Sequence, residues 1–71
     1  MTDKRAEDQR WNRSPLPRNV GPFLCLARGR RGTLYTFRAS RMTHGGQLFA
    51  HVYGGAYPAD TSNVLGWMEA A

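Results

Sequence analysis

Cysteine occurs once in this 71-residue chain, at Cys25, so no disulfide can close within it. The cross-linked scaffold of a small secreted domain is therefore excluded, and a reducing, cytoplasmic setting is expected. The first nineteen residues are charged and hold no apolar run of the kind a signal peptide needs. No segment approaches the roughly 18 consecutive apolar residues of a membrane-spanning helix, so no membrane partner is expected. Lysine is nearly missing as well, with Lys4 the single example. Acidic residues are absent from the whole stretch between Asp8 and Asp60.

What fills that stretch is arginine: Arg10, Arg13, Arg18, Arg28, Arg30, Arg31, Arg38 and Arg41, within a chain of formal net charge +5. The planar guanidinium suits carboxylate and phosphate, and its weak hydration suits interfaces, so the balance points to an acidic or polyanionic partner. GC-rich coding would also favour arginine over lysine, but it does not account for the missing acids.

A chain this short forms one domain and buries only about 60% of the surface its unfolded form exposes. With 41% hydrophobic residues it is nonetheless globular in composition. The prolines of Ser14-Pro15-Leu16-Pro17 favour extended backbone and mark a boundary between an N-terminal charged arm over 1–19 and a folded body over 20–71. Thr2 could cap a short arm helix running to about Trp11, a residue with little nearby in sequence to pack against.

The body predicts an α+β fold: a three-stranded antiparallel β-meander with a C-terminal α-helix packed on one face. Three apolar, aromatic or β-branched runs supply the strands, at 23–27, 33–39 and 47–53. Gly29-Arg30-Arg31-Gly32 and Thr43-His44-Gly45-Gly46 separate them as hairpin turns. A two-residue turn at Arg30-Arg31 pairs Leu26 with Tyr35 and Leu24 with Phe37, and makes Phe37 the centre of the core. A three-residue loop with Gly32 in a bulge is an equal alternative and flips the first strand. A turn at Gly45-Gly46 sets Ala39 opposite Val52 and Arg41 opposite Ala50. Asp60, Thr61 and Ser62 are good helix N-caps, and Val64, Leu65, Trp67 and Met68 follow at helical spacing, with Gly54-Gly55-Ala56-Tyr57-Pro58 read as the loop before them.

Chemistry-bearing residues are few. Cys25 sits inside an apolar strand, where a thiol is inert, and no spacing supports a cysteine-histidine enzyme. One cysteine with His44 and His51 matches no common zinc spacing. The glycine pairs lack the Lys-Ser/Thr of a phosphate-binding loop. No catalytic residue, metal or cofactor is expected.

A non-catalytic binding protein is what remains, with Trp11, Arg28, Arg30, Arg31, Arg38, Arg41, His51 and Tyr53 as the expected partner-binding residues. Arg38, Ser40, Phe49, His51 and Tyr53 form one basic and aromatic patch on the strands, unless the arm covers its aromatics. The expected partner is an acidic protein surface or a nucleoprotein complex on which the chain docks. In style, though in no motif, it resembles the accessory inhibitors of phages and mobile elements, anti-CRISPR proteins among them. The alternative is direct nucleic-acid binding, or a small transcriptional regulator, acting through the arginines. Docking is preferred because the arginines are scattered over turns and strands instead of lining one helix.

Overall fold

A computed structural model describes residues 10–70, so the expected arm helix lies, over residues 2–9, outside the described residues. The body is not a three-stranded meander with a helix. It is a five-stranded antiparallel sheet, and no α-helix occurs among the described residues. The strands are β1 (Phe23–Arg28), β2 (Leu34–Arg41), β3 (Leu48–Val52), β4 (Gly55–Pro58) and β5 (Val64–Glu69), in the spatial order β4-β3-β2-β1-β5. Strands β1 to β4 form a meander, and β5 returns to pair with the far side of β1. Side chains pack on both faces of β1, Leu16 and Trp67 on one and Trp11 and Leu65 on the other, which explains the unbroken Phe23-Leu24-Cys25-Leu26-Ala27 run. A strand covered on both faces has no solvent side on which to alternate.

The C-terminal segment looked helical for a specific reason. Asp60 does act as a cap, accepting from the Ser62 N–H and hydroxyl, but the turn it caps is a short 3₁₀ turn, Thr61–Asn63. Pairing then shifts from Ala27↔Val64 to Leu26↔Gly66, which leaves Leu65 as the extra residue of a β-bulge. The bulge resets the alternation, so Val64 and Trp67 pack on one face while Leu65 and Met68 pack on the other. Two i, i+3 pairs are thereby produced on a strand. The glycine-containing segment before it is likewise no loop. Tyr53-Gly54 makes a two-residue turn with φ of 51° and 79°, and Gly55–Pro58 pairs with β3 as an edge strand, where a proline is tolerated.

The first hairpin takes the three-residue loop. Gly29 N–H donates to Thr33 O at 2.7 Å, and Gly32 adopts φ 79°, the positive value a bulge glycine supplies without steric cost. Cys25 therefore lies opposite Phe37, and Leu26 opposite Thr36. The Leu26–Tyr35 and Leu24–Phe37 pairing expected from a two-residue turn is overturned, and β1 is flipped. In the second hairpin Ala39 faces Ala50 and Arg41 faces Leu48, two residues from the expected register. A two-residue shift keeps every side chain on its expected face.

Two small cores result, one on each side of β1. Phe23, Cys25, Ala39 and Leu48 form the larger, backed by Leu16, Phe37, Ala59, Val64 and Trp67. The Phe23 and Trp67 rings meet edge to face at a centroid distance of 5.8 Å. The buried centre is thus Phe23, with Phe37 only half-buried beside it. On the opposite side Trp11 and Leu26 are buried together, against Leu24, Leu34, Leu65 and Met68.

Trp11 reaches that place because Gly66 has no side chain. A Cβ at Gly66 would lie 2.7 Å from Trp11 Cβ and 3.1 Å from Asn12 O. Asn12 exchanges both backbone hydrogen bonds with Trp67, at 2.9 and 3.0 Å, and Trp67 Nε1–H donates to Ser14 O. The segment from Trp11 to Ser14 thus runs along the β5 edge as a bridging strand fragment.

Candidate functional site

The candidate site is the half of the second sheet face that Trp11 leaves uncovered. Antiparallel pairing of β2 with β3 sets Arg38 directly opposite His51, and Ser40 directly opposite Phe49. Arg38 and Ser40 are two residues apart on one strand, so both project to this face. Ser40 Oγ and His51 Nε2 are hydrogen bonded at 2.6 Å. Arg28 ends β1 on the same face, opposite Leu34. Arg30 and Arg31 follow at the exposed tip of the β1–β2 hairpin.

No carboxylate falls on this face among the described residues. Glu69 pairs with Phe23 and so projects to the other side, while Asp60 lies in the loop ahead of the 3₁₀ turn. Arg28, with Arg30 and Arg31 beyond it, places exposed positive charge along one border of this face, an arrangement that raises the local concentration of anions.

Tyr53 follows His51 at the β3–β4 turn, fully exposed and with φ at 51°. That left-handed conformation costs a non-glycine residue roughly 1–2 kcal/mol. A bulky aromatic held there in solvent contributes nothing to the two cores. Strain without a packing return marks a residue for a functional test.

The expected binding residues thus divide. Arg28, Arg38 and His51 come together on one face, with Arg30, Arg31 and Tyr53 at the two hairpin tips beside it. Trp11 does not join them, being 9% exposed. Arg41 also departs from expectation. Its guanidinium donates to Pro17 O, Asn19 O and Gly46 O, while its backbone N–H donates to Val20 O. It clamps the segment 17–20 to the β2–β3 hairpin. Arg13 likewise donates to Leu65 O, a structural use of its charge.

No family model, curated protein or solved structure matches the chain significantly. The site therefore rests on its own geometry.

Sequence reasoning missed a second surface. On the face opposite the arginines, Tyr35, Phe37, Ala50, Val52 and Pro58 border a groove of about 410 Å³ that ends at Asp60 and Asn63. The Tyr35 and Phe37 rings, neighbours on β2, lie 6.1 Å apart along it. Its sequence signal was the alternation Tyr35, Phe37, Ala39, but burial of Ala39 and exposure of Tyr35 follow from strand order, which alternation does not encode.

Cys25 is buried, and burial pushes its thiol up from the ordinary value, against a smaller downward pull from Arg41. A neutral, enclosed thiol is neither nucleophile nor ligand. Among the described residues no group of three or more His, Cys, Asp or Glu side chains could hold a metal ion, and no helix is long and apolar enough to cross a membrane.

Proposed function

We propose that this protein is a non-catalytic, cytoplasmic docking module that binds the acidic surface of a larger protein or nucleoprotein complex. It acts as an accessory inhibitor acts, by occupying a surface the complex needs. The observation that carries this reading is the exposed group of Arg28, Arg30 and Arg31 where β1 ends and the chain turns into β2, beside the sheet face that carries His51. Such charge chiefly accelerates association and selects against basic partners. The Ser40–His51 pair is no catalytic dyad in this reading, since no carboxylate among the described residues orients the imidazole.

The test is affinity capture from native lysate with and without nuclease, using the parent and an Arg28→Ala/Arg30→Ala/Arg31→Ala variant. A specific complex should be recovered with the parent and lost with the variant, and its association rate should fall as salt rises. Equal recovery by the variant removes this face from the interface.

A further inference from the structure

The groove bordered by Tyr35, Phe37, Ala50, Val52 and Pro58 has two walls. One is the sheet itself, over β2 and β3. The other is the connection from β4 to β5, which crosses this face because those two strands lie at opposite edges of the sheet. That connection is anchored. Ala59 N–H donates to Leu48 O at 2.9 Å and its side chain packs on the larger core, while Asp60 Oδ1 accepts from the Ser62 N–H and hydroxyl at 3.0 and 2.8 Å. The groove is therefore formed before any ligand arrives, and its volume of about 410 Å³ falls within the roughly 300–1,000 Å³ of ligand sites.

Two kinds of group meet in it. Tyr35 and Phe37 present aromatic rings 6.1 Å apart and tilted by 32°, and Asp60 supplies a carboxylate. The Ser62 hydrogen bonds hold that carboxyl below its ordinary value, so it is ionised at neutral pH. They occupy Oδ1 and leave Oδ2 without a partner among the described residues. Glu69, the other acid among those residues, pairs with Phe23 and does not border the groove. In a chain of net charge +5, the groove is thus a place where negative charge and aromatic faces coincide. A cation within about 6 Å of a ring centroid is attracted by its face, and a guanidinium both stacks on such rings and forks onto a carboxylate.

We propose that this groove binds an arginine side chain presented by an apolar segment of a partner polypeptide. The guanidinium stacks on the Tyr35 and Phe37 rings and donates to Asp60 Oδ2, while its methylene stem lies along Val52 and Pro58. A polypeptide is the occupant because the exposed apolar surface is larger than the groove. Tyr57 pairs with Ala50 and so shares this face. Its hydroxyl lies 2.9 Å from where a Cβ at Gly55 would stand, and Gly55 pairs with Val52. The exposed Tyr57 and Val52 therefore adjoin each other beside the groove. A free amine would leave both in water, whereas the residues flanking an arginine in an extended segment reach them. This surface lies on the opposite face from His51 and takes a ligand of the opposite charge, so it is independent of docking through Arg28, Arg30 and Arg31.

The experiment titrates the isotope-labelled full chain with the acetylated peptide Gly-Val-Arg-Val-Gly and follows the backbone amide shifts by NMR. The arms replace the central arginine with lysine, glutamine or glutamate, and a last arm uses arginine amide as a free cation. Saturable shifts should fall on the groove residues. Glutamine in place of arginine should weaken binding about tenfold, and Asp60→Asn should do the same, since asparagine keeps the cap and removes only the charge. Tyr35→Ser should weaken it about threefold, and arginine amide should bind more than about tenfold less tightly than the peptide. The Arg28→Ala/Arg30→Ala/Arg31→Ala variant should bind the peptide at least as well as the parent. A thermal midpoint near the parent's confirms that each variant is folded.

Equal binding of the arginine and glutamine peptides, an unchanged affinity in Asp60→Asn, shifts that map to the His51 face, or no saturable shift at all would overturn the proposal. Arginine amide binding as tightly as the peptide would overturn it in favour of a small cation. Sedimentation of the parent alone tests one more occupant: a dimer lost in both Asp60→Asn and Arg30→Ala/Arg31→Ala would overturn it in favour of a second copy, whose hairpin tip then fills the groove.

Discussion

Gly66→Ala adds one methyl group to the chain and tests how the N-terminal segment is attached. The new Cβ would lie 2.7 Å from Trp11 Cβ, 3.4 Å from its Cγ and 3.1 Å from Asn12 O. Distances under 3.0 Å are not tolerated, so either the tryptophan shifts or the segment lifts off β5. Replacing a strand glycine would by itself contribute about 0.5–1 kcal/mol of stability. Overpacking costs about 1–3 kcal/mol, and shedding Trp11 sets a ceiling. A buried tryptophan hides about 150–250 Å², which at about 25 cal/mol per Å² is roughly 4–6 kcal/mol before entropy is counted. A net loss of about 1–2 kcal/mol is expected, against a total near 4–10 kcal/mol for a domain of this size.

The decisive measurement is a double-mutant cycle with Trp11→Gly, which removes both clashing side-chain atoms. Urea titrations followed by Trp67 fluorescence give the four stabilities, with sucrose present to keep the weakest variant folded. In the Trp11→Gly background, Gly66→Ala should cost less than about 0.5 kcal/mol, giving a coupling of about 1 kcal/mol or more. An equal cost in both backgrounds would show that the glycine is required for its own backbone and that Trp11 does not sit over it.

Tyr53→Asn should raise stability by about 0.5–1 kcal/mol, because asparagine accepts the left-handed conformation of the turn and no core contact is lost; a lower melting temperature would refute this. Arg41→Ala should cost about 2–3 kcal/mol through its carbonyl acceptors at positions 17, 19 and 46, whereas Arg30→Ala/Arg31→Ala should stay within about 0.5 kcal/mol, both by thermal melting. The buried Cys25 thiol has its pKa raised above 9.0, so above that pH the unfolded chain loses its proton first. The stability it contributes is present below about pH 9 and falls as pH rises further, and the reaction of Cys25 with a thiol reagent at pH 8 should track global unfolding. Rapid labelling of the native protein would show the thiol to be accessible.

Turn chemistry was legible in the sequence because it is local. Gly29-Arg30-Arg31-Gly32 and Gly45-Gly46 mark two hairpins, and the bulged three-residue loop stood as an equal alternative for the first. Strand order was not legible, because it depends on which edge a distant segment chooses. The unbroken apolar run of β1 signals cover on both faces, supplied by Leu16 and Trp67 on one and Trp11 and Leu65 on the other, but not which strands pair with its edges. The helix expected at the C-terminus failed through degeneracy, since a bulge at Leu65 produces the same i, i+3 spacing as a helical turn. For the site, Arg38 opposite His51 survives any register error of two residues on faces, but the pairing itself does not. The actual Arg38↔His51 pairing follows from a β2–β3 turn centred on His44-Gly45, one residue earlier than expected.

The arginines look uniform in sequence, and the fold separates them by what carbonyls lie within reach. Arg13 and Arg41 are placed where backbone has been left unpaired: at the β5 edge, and in the 17–20 connection that forms no ladder. A buried or half-buried carbonyl without a donor costs about 1–3 kcal/mol, and a guanidinium can satisfy several such groups at once. These two charges therefore act on the chain itself. Arg28, Arg30 and Arg31 are exposed where β1 ends and the chain turns into β2, and Arg38 lies opposite His51 in the β2–β3 ladder. Trp11 fixes the line between the two groups. By filling the Gly66 slot it covers the β1–β5 half of the second face, beside the β2–β3 half that carries Ser40 and His51. The same tryptophan that completes the smaller core thereby sets the limit of the binding surface, which is why loss of Trp11 should disturb binding only together with stability, while loss of Arg30 and Arg31 should disturb binding alone.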